Sequence, residues 1–181
     1  ILNKGNAMYK VSEKPLISKD EIENRLESLG SEINASGEYD IVLGVLTGAF
    51  IFVADIVRRQ VGNPRVAFVK ASSYGNSTQS SQQVVFQGLD NLQFEGMRVL
   101  IVDDILDTGR TLSKLSEELL KRGAEDVKIC VLLGKPSRRE AAIEADFFGF
   151  SIENSFVVGY GLDYAEKYRA LDGIFTLEAK T

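Results

Sequence analysis

The chain has 181 residues, which suits one domain with a full core and is too few for two of ordinary size. A net charge of −5 argues against a nucleic-acid-binding surface as the main function, and the single Cys130 excludes a disulfide framework or a cysteine metal cluster. Histidine is absent, which removes histidine general bases, Ser-His-Asp and Cys-His pairs and histidine-ligated zinc, so acid–base work falls to carboxylates, lysine, tyrosine or water, and a metal would need oxygen ligands.

Residues 1–7 lack the apolar block of a signal peptide and read as an extension ahead of Met8, leaving a single domain over 8–181. No apolar run of about 18 residues predicts a membrane span, and a reduced, cytoplasmic setting without membrane or nucleic-acid partners is the expectation. Ser18 and Glu21 form a capping-box pattern, after which Ile22, Leu26, Leu29 and Ile33 fall on one helical face. Apolar runs over Asp40–Leu46, Arg65–Ala71, Val84–Phe86, Arg98–Val102, Val127–Leu133 and Phe156–Tyr160 read as strands. Those at 41–46, 99–102 and 127–133 are apolar nearly throughout, as in strands covered on both faces. Helical patterns lie between them at Ala49–Gln60 and at Thr111–Arg122, the second stopped by Gly123. The polar run Ser72–Gln83 reads as a loop whose length suits a lid. Strands alternating with helices predict an α/β domain around a mainly parallel sheet, with ligands beyond the carboxyl ends of the strands. The segments to inspect come directly after Leu46, Ala71, Val102 and Leu133.

The segment after Val102 carries the most chemistry. Asp103 and Asp104 cannot both enter a core, because burying unpaired charge is too costly. They are expected to face solvent, a cation or sugar hydroxyls. Asp107-Thr108-Gly109-Arg110-Thr111 then turns into a helix, and the N–H groups of such a turn cradle anions. Acidic groups for hydroxyls or a metal next to a phosphate cradle match a ribose 5-phosphate. No G-x-x-x-x-G-K-[ST] or G-x-G-x-x-G motif competes, and acids at 103, 104 and 107 miss the spacing of an EF-hand loop.

Val99–Leu112 resembles the phosphoribosyl pyrophosphate motif of type I phosphoribosyltransferases, and the chain from about Leu16 to Leu177 resembles their 6-oxopurine branch, the hypoxanthine-guanine phosphoribosyltransferases. The resemblance implies an α/β core over about 35–133, a mainly parallel sheet flanked by helices. It also implies a small purine-covering hood built from the N-terminal segment and about 134–181. It implies transfer of a 5-phosphoribosyl group from phosphoribosyl pyrophosphate to N9 of hypoxanthine or guanine, giving IMP or GMP and pyrophosphate, with Mg²⁺ as cofactor and a homodimer or homotetramer as the assembly.

The same resemblance implies residue roles. Asp103 and Asp104 hold the ribose hydroxyls, partly through Mg²⁺. Asp107, Thr108, Gly109, Arg110 and Thr111 wrap the 5-phosphate, with Asp107 as the general acid/base near the purine. Thr47 and Gly48 match the pyrophosphate loop, with a cis Leu46–Thr47 peptide; Thr47 stands where many members carry lysine, leaving backbone contacts. Ser73 and Tyr74 match a lid, and Arg169 a pyrophosphate-binding arginine. Lys135 donates to the purine 6-oxo group, Phe156 stacks on the ring, and Val157 reads its edge. Asp163 offers its carbonyl to the purine and its carboxylate to Mg²⁺. Cys130, Tyr160 and Tyr164 read as packing, and Arg138 and Arg139 as surface charges. A xanthine-preferring transferase and a non-catalytic nucleotide-sensing regulator of the same fold stay open.

Overall fold

The computed structural model describes residues 9–74 and 83–179; the extension at 1–7 and the middle of the expected lid lie outside them. The helix signalled at Ser18 forms as α1, Lys19–Ala35, and its capping box is complete: Ser18 Oγ accepts from Glu21 N, and the Glu21 carboxylate accepts from Ser18 N at 2.8 Å. Ile22, Leu26, Leu29 and Ile33 are all buried, the face the periodicity marked.

Six strands form the main sheet: β2 (Ile41–Leu46), β3 (Arg65–Tyr74), β4 (Gln83–Gln87), β5 (Arg98–Leu106), β6 (Asp126–Gly134) and β7 (Phe147–Ser151). Their order is β4-β3-β2-β5-β6-β7, parallel throughout except for the antiparallel β3–β4 pair. Helices α2 (Phe50–Val57) and α3 (Arg110–Lys121) complete the layers. Alternate residues of the central strands enter two separate cores. Val42, Leu100, Val102 and Leu132 pack with α1 and α2, whereas Ile41, Leu43, Val99 and Ile101 pack with Leu112, Leu115 and Leu119 of α3. Burial on both faces is why these strands read as unbroken apolar runs.

A second, three-stranded antiparallel sheet joins β1 (Tyr9–Val11), β9 (Phe175–Ala179) and β8 (Val157–Val158) in that order. The structure differs from the sequence expectation at three places. The strand expected over Phe156–Tyr160 shrinks to two residues, because Gly159, Tyr160 and Gly161 take positive φ and turn the chain away. The loop expected from Ser72 is still strand at Ser72, Ser73 and Tyr74, which pair with Val85, Val84 and Gln83; main-chain ladders need no apolar side chains. Finally, β7 adds to the main sheet, so the second layer begins after Ser151 rather than at 134. Among the described residues no helix is long and apolar enough to cross a membrane.

Candidate active site

Strand register opens the site. β5 pairs with β2 only as far as Gly44↔Val102, yet it continues along β6 through Asp103↔Val131 to Leu106↔Gly134. Beyond Val102 one edge of β5 is therefore free, and the acid pair lies in that half-open stretch rather than past the strand's end. Neighbouring residues on a strand face opposite ways. Asp103 is buried rather than open to solvent, yet still lines the cavity described below, and its Oδ1 accepts from Asp104 N at 2.9 Å. Burial, together with the adjacent Asp104 charge, pushes the Asp103 carboxyl well above the ordinary carboxylate range. Burial also raises Asp104, against the pull of hydrogen bonds from Asp103 and the main chain and of the Arg169 charge.

Three chain segments meet at Asp104. A Cβ built on Gly48 would lie 1.5 Å from Asp104 Oδ2, and one on Gly161 would lie 2.2 Å from Gly48 O. Only glycines allow the loop after β2, the acid pair and the turn after β8 to touch. The Leu46–Thr47 peptide is cis, Thr47 is exposed, and Gly48 lies against the acid pair. Arg169 Nη1 donates to Gly161 O at 2.6 Å, and its Nη2 pairs with Asp163 Oδ1 at 2.8 Å. Asp163 Oδ2 also accepts from Glu166 N at 2.7 Å, so this carboxylate is already engaged.

Past the acids, a cavity of about 310 Å³ is lined by residues 103–109 with Thr111 and Leu112. Gly109, at φ 82°, caps α3, and Arg110 N donates to Thr108 Oγ1 at 3.4 Å. The Arg110 side chain is outside the cavity lining and pairs with Glu140 at 2.6 Å. Asp107 Oδ1 receives Arg138 Nε at 3.1 Å. Arg139 is not a surface charge: its side chain is 14% exposed and its Nη1 donates to the carbonyls of Leu106 and Asp107.

Lys135, Phe156 and Tyr164 form a second group, outside the lining of that cavity. Lys135 is buried, its N donates to Leu106 O at 3.0 Å, and its Nζ donates to Ser155 O at 2.8 Å, beside Phe156. Phe156 is 58% exposed, and its ring stands perpendicular to that of Tyr164, with centroids 5.7 Å apart and an interplanar angle of 89°. Val157 is buried in β8. Tyr164, read as packing, therefore braces the exposed ring. Tyr160 does pack, but its hydroxyl also donates to the nearly buried Asp55, which pairs in turn with Arg58. No periodicity links Tyr160 to a partner 105 positions away. Ser73 and Tyr74 close β3 at the same end of the sheet, and the rest of the expected lid, 75–82, lies outside the described residues.

Comparison with known proteins agrees with this geometry. The phosphoribosyl transferase domain family matches residues 18–165. The hypoxanthine-guanine phosphoribosyltransferase of Bacillus subtilis is 46% identical over 92% of this chain and 93% of its own length. The chain belongs to the hypoxanthine-guanine phosphoribosyltransferase family. A crystal structure of a Bacillus anthracis hypoxanthine-guanine phosphoribosyltransferase superposes with a TM-score of 0.85 at 33% identity, covering 94% of this chain and 99% of that one. The bifunctional protein TilS/HprT of Listeria innocua is 45% identical over 95% of this chain, but the match spans only 27% of that longer protein.

As a phosphoribosyltransferase site, the groove has an oxygen-only donor set. Among the described residues no cluster of three or more carboxylates could hold a metal by itself. Two adjacent, desolvated carboxyls that form no salt bridge among the described residues suit a hard divalent ion that takes its other ligands from substrate oxygens and water.

Proposed function

We propose that this chain catalyses purine salvage, transferring the 5-phosphoribosyl group of phosphoribosyl pyrophosphate to N9 of hypoxanthine or guanine. The products are IMP or GMP and pyrophosphate. The observation that supports this reading is the bond from Lys135 N to Leu106 O, which ties the segment read as purine-binding to the end of β5, where the segment read as phosphate-binding begins.

Main-chain N–H groups of Thr108, Gly109, Arg110 and Thr111 hold the 5-phosphate, with the Thr108 and Thr111 hydroxyls beside them. Asp103 and Asp104 hold the ribose hydroxyls. The exposed main chain at Thr47–Gly48 binds pyrophosphate, together with Arg169. Phe156 offers an open ring face for the purine, and Lys135, with donors left on its ammonium, reaches the 6-oxo group. Val157 and the Asp163 carbonyl read the far edge of the base. As the bond to pyrophosphate breaks, positive charge develops on the ribose, the purine nitrogen attacks, and Asp107 takes the proton the purine gives up. Without histidine a carboxylate is the natural base. Asp103, Asp104 and Asp163 would hold Mg²⁺, which when bound neutralises and orients the pyrophosphate leaving group.

Ser73 and Tyr74 begin the segment that closes over the reacting carbon, where excluding water spares the cation-like intermediate from hydrolysis. The six-stranded core carries the sugar phosphate, the three-stranded sheet covers the purine, and the protein works in the cytoplasm as a homodimer or homotetramer.

A product assay with phosphoribosyl pyrophosphate tests the reading, offering hypoxanthine, guanine, xanthine and adenine separately, with and without Mg²⁺. Turnover of hypoxanthine or guanine is expected, lost without metal, and reduced about 100- to 10,000-fold in Asp107→Asn. Tight binding of phosphoribosyl pyrophosphate without turnover of any purine would overturn it.

A further inference from the structure

We infer that Arg139 is a positioning residue: it holds the phosphate turn in its anion-accepting shape and ties that turn to the purine-binding segment that begins at Lys135. The inference rests on the proposed transferase reading and deepens it.

In a trans peptide the C=O of one residue and the N–H of the next point in opposite directions. Three consecutive carbonyls leading into the turn are all drawn to one segment. Leu106 O accepts from Lys135 N at 3.0 Å and from Arg139 Nη1 at 3.1 Å. Asp107 O accepts from Arg139 Nη1 at 2.6 Å. Thr108 O accepts from Glu140 N and Ala141 N, each at 3.0 Å. With these carbonyls pulled back, the N–H groups of Asp107, Thr108 and Gly109, residues that line the cavity, point the opposite way.

Of the donors on that segment, only Arg139 is a side chain that serves two of the three carbonyls. It also brings a permanent positive charge to these carbonyls, whereas Arg138 on the same segment pairs with the Asp107 carboxylate. Its Nε makes no hydrogen bond among the described residues and forms an ion pair with the exposed Glu144 at 3.6 Å. The hydrogen bonds of the guanidinium thus go to main-chain carbonyls, while the longer contact with Glu144 is an ion pair without one. The turn is also seated by shape. A Cβ on Gly109 would lie 2.6 Å from Ile143 Cγ2 and 3.3 Å from Arg139 Cδ.

The test compares two ligands that differ only by the phosphate. Affinities for GMP and guanosine are measured by calorimetry for wild type, Arg139→Gln and Arg139→Lys, with thermal melts alongside. Loss of a charged hydrogen-bond donor should weaken GMP about tenfold or more in Arg139→Gln while leaving guanosine within about twofold. Arg139→Lys, which keeps the charge and reaches one carbonyl, should lose only part of the GMP affinity and serves if the glutamine variant does not fold. In steady state the KM for phosphoribosyl pyrophosphate should rise and the KM for hypoxanthine should not. Equal weakening of GMP and guanosine would mark a purely structural role and overturn the proposal, as would unchanged GMP affinity in both variants. A wild type that binds GMP no better than guanosine would overturn the transferase reading along with it; a wild type that prefers GMP, with variants that match it, would overturn the Arg139 role alone.

Discussion

The Asp104 carboxylate occupies the place that a side chain on Gly48 would need, with Oδ2 1.5 Å from where a Cβ would sit. The obstacle is the tip of a side chain rather than main chain, so a methyl group there can be accommodated by displacing the carboxylate. Gly48→Ala should therefore fold, with a melting temperature within a few degrees of wild type. Its kcat/KM for phosphoribosyl pyrophosphate should fall at least about 100-fold, because the acid proposed to hold the ribose hydroxyls has been pushed out of line. Steady-state kinetics beside a thermal melt separate the two effects.

Asp103 should make the metal-free protein less stable as pH rises. Its folded-state pKa lies above the ordinary carboxylate value near 4, so the folded form keeps its proton where the unfolded chain has lost it. The contribution to stability is full below about pH 4 and is lost as pH climbs through the raised folded value. Asp103→Asn can still accept from Asp104 N and carries no charge to bury. In chelator-containing buffer it should be more stable than wild type at pH 7, with the gap closing towards pH 4. Urea titrations across that range would show it, and a gap that widens towards acid would contradict it.

Tyr160→Phe removes the hydroxyl that donates to Asp55 from the turn between β8 and Asp163. Asp55 keeps Arg58 but loses a donor while nearly buried. A loss of about 1–3 kcal/mol is expected in urea denaturation, the cost of stranding a buried acceptor. Because Gly161 lies against Gly48 in the same turn, kcat/KM should also fall by a few-fold.

Lys135→Met keeps the stem of the side chain and its main-chain bond to Leu106 but removes the ammonium beside Phe156. The kcat/KM for hypoxanthine should drop about 100-fold, near 2.7 kcal/mol of transition-state stabilisation. The KM for phosphoribosyl pyrophosphate, bound at the other end, should stay within about twofold. Equal losses for both substrates would place Lys135 in the fold rather than in purine recognition.

The groove was partly legible residue by residue. Ser18 and Glu21 announced α1 because a capping box is local, closed within three positions. The central strands announced themselves because both faces are buried. Strands β1, β7 and β9 were not visible. They are three to five residues long, and what holds them is pairing with distant segments, such as Tyr9 with Ala179. Arg139 was misread because a charged residue in a polar stretch is usually solvated, and nothing local shows that carbonyls 33 and 32 positions away need its donors.

The sequence alone determined the α/β order, the acid pair followed by a phosphate turn, and, through the lack of histidine, the kind of base available. These depend on residue chemistry and short-range periodicity. Tertiary structure alone decided that Asp103 is buried while Asp104 meets Gly48, that Arg139 braces the turn, and that Tyr164 supports Phe156. Each of these is a contact between segments far apart in the chain, set by where one strand stops pairing and by which side chains then share the space.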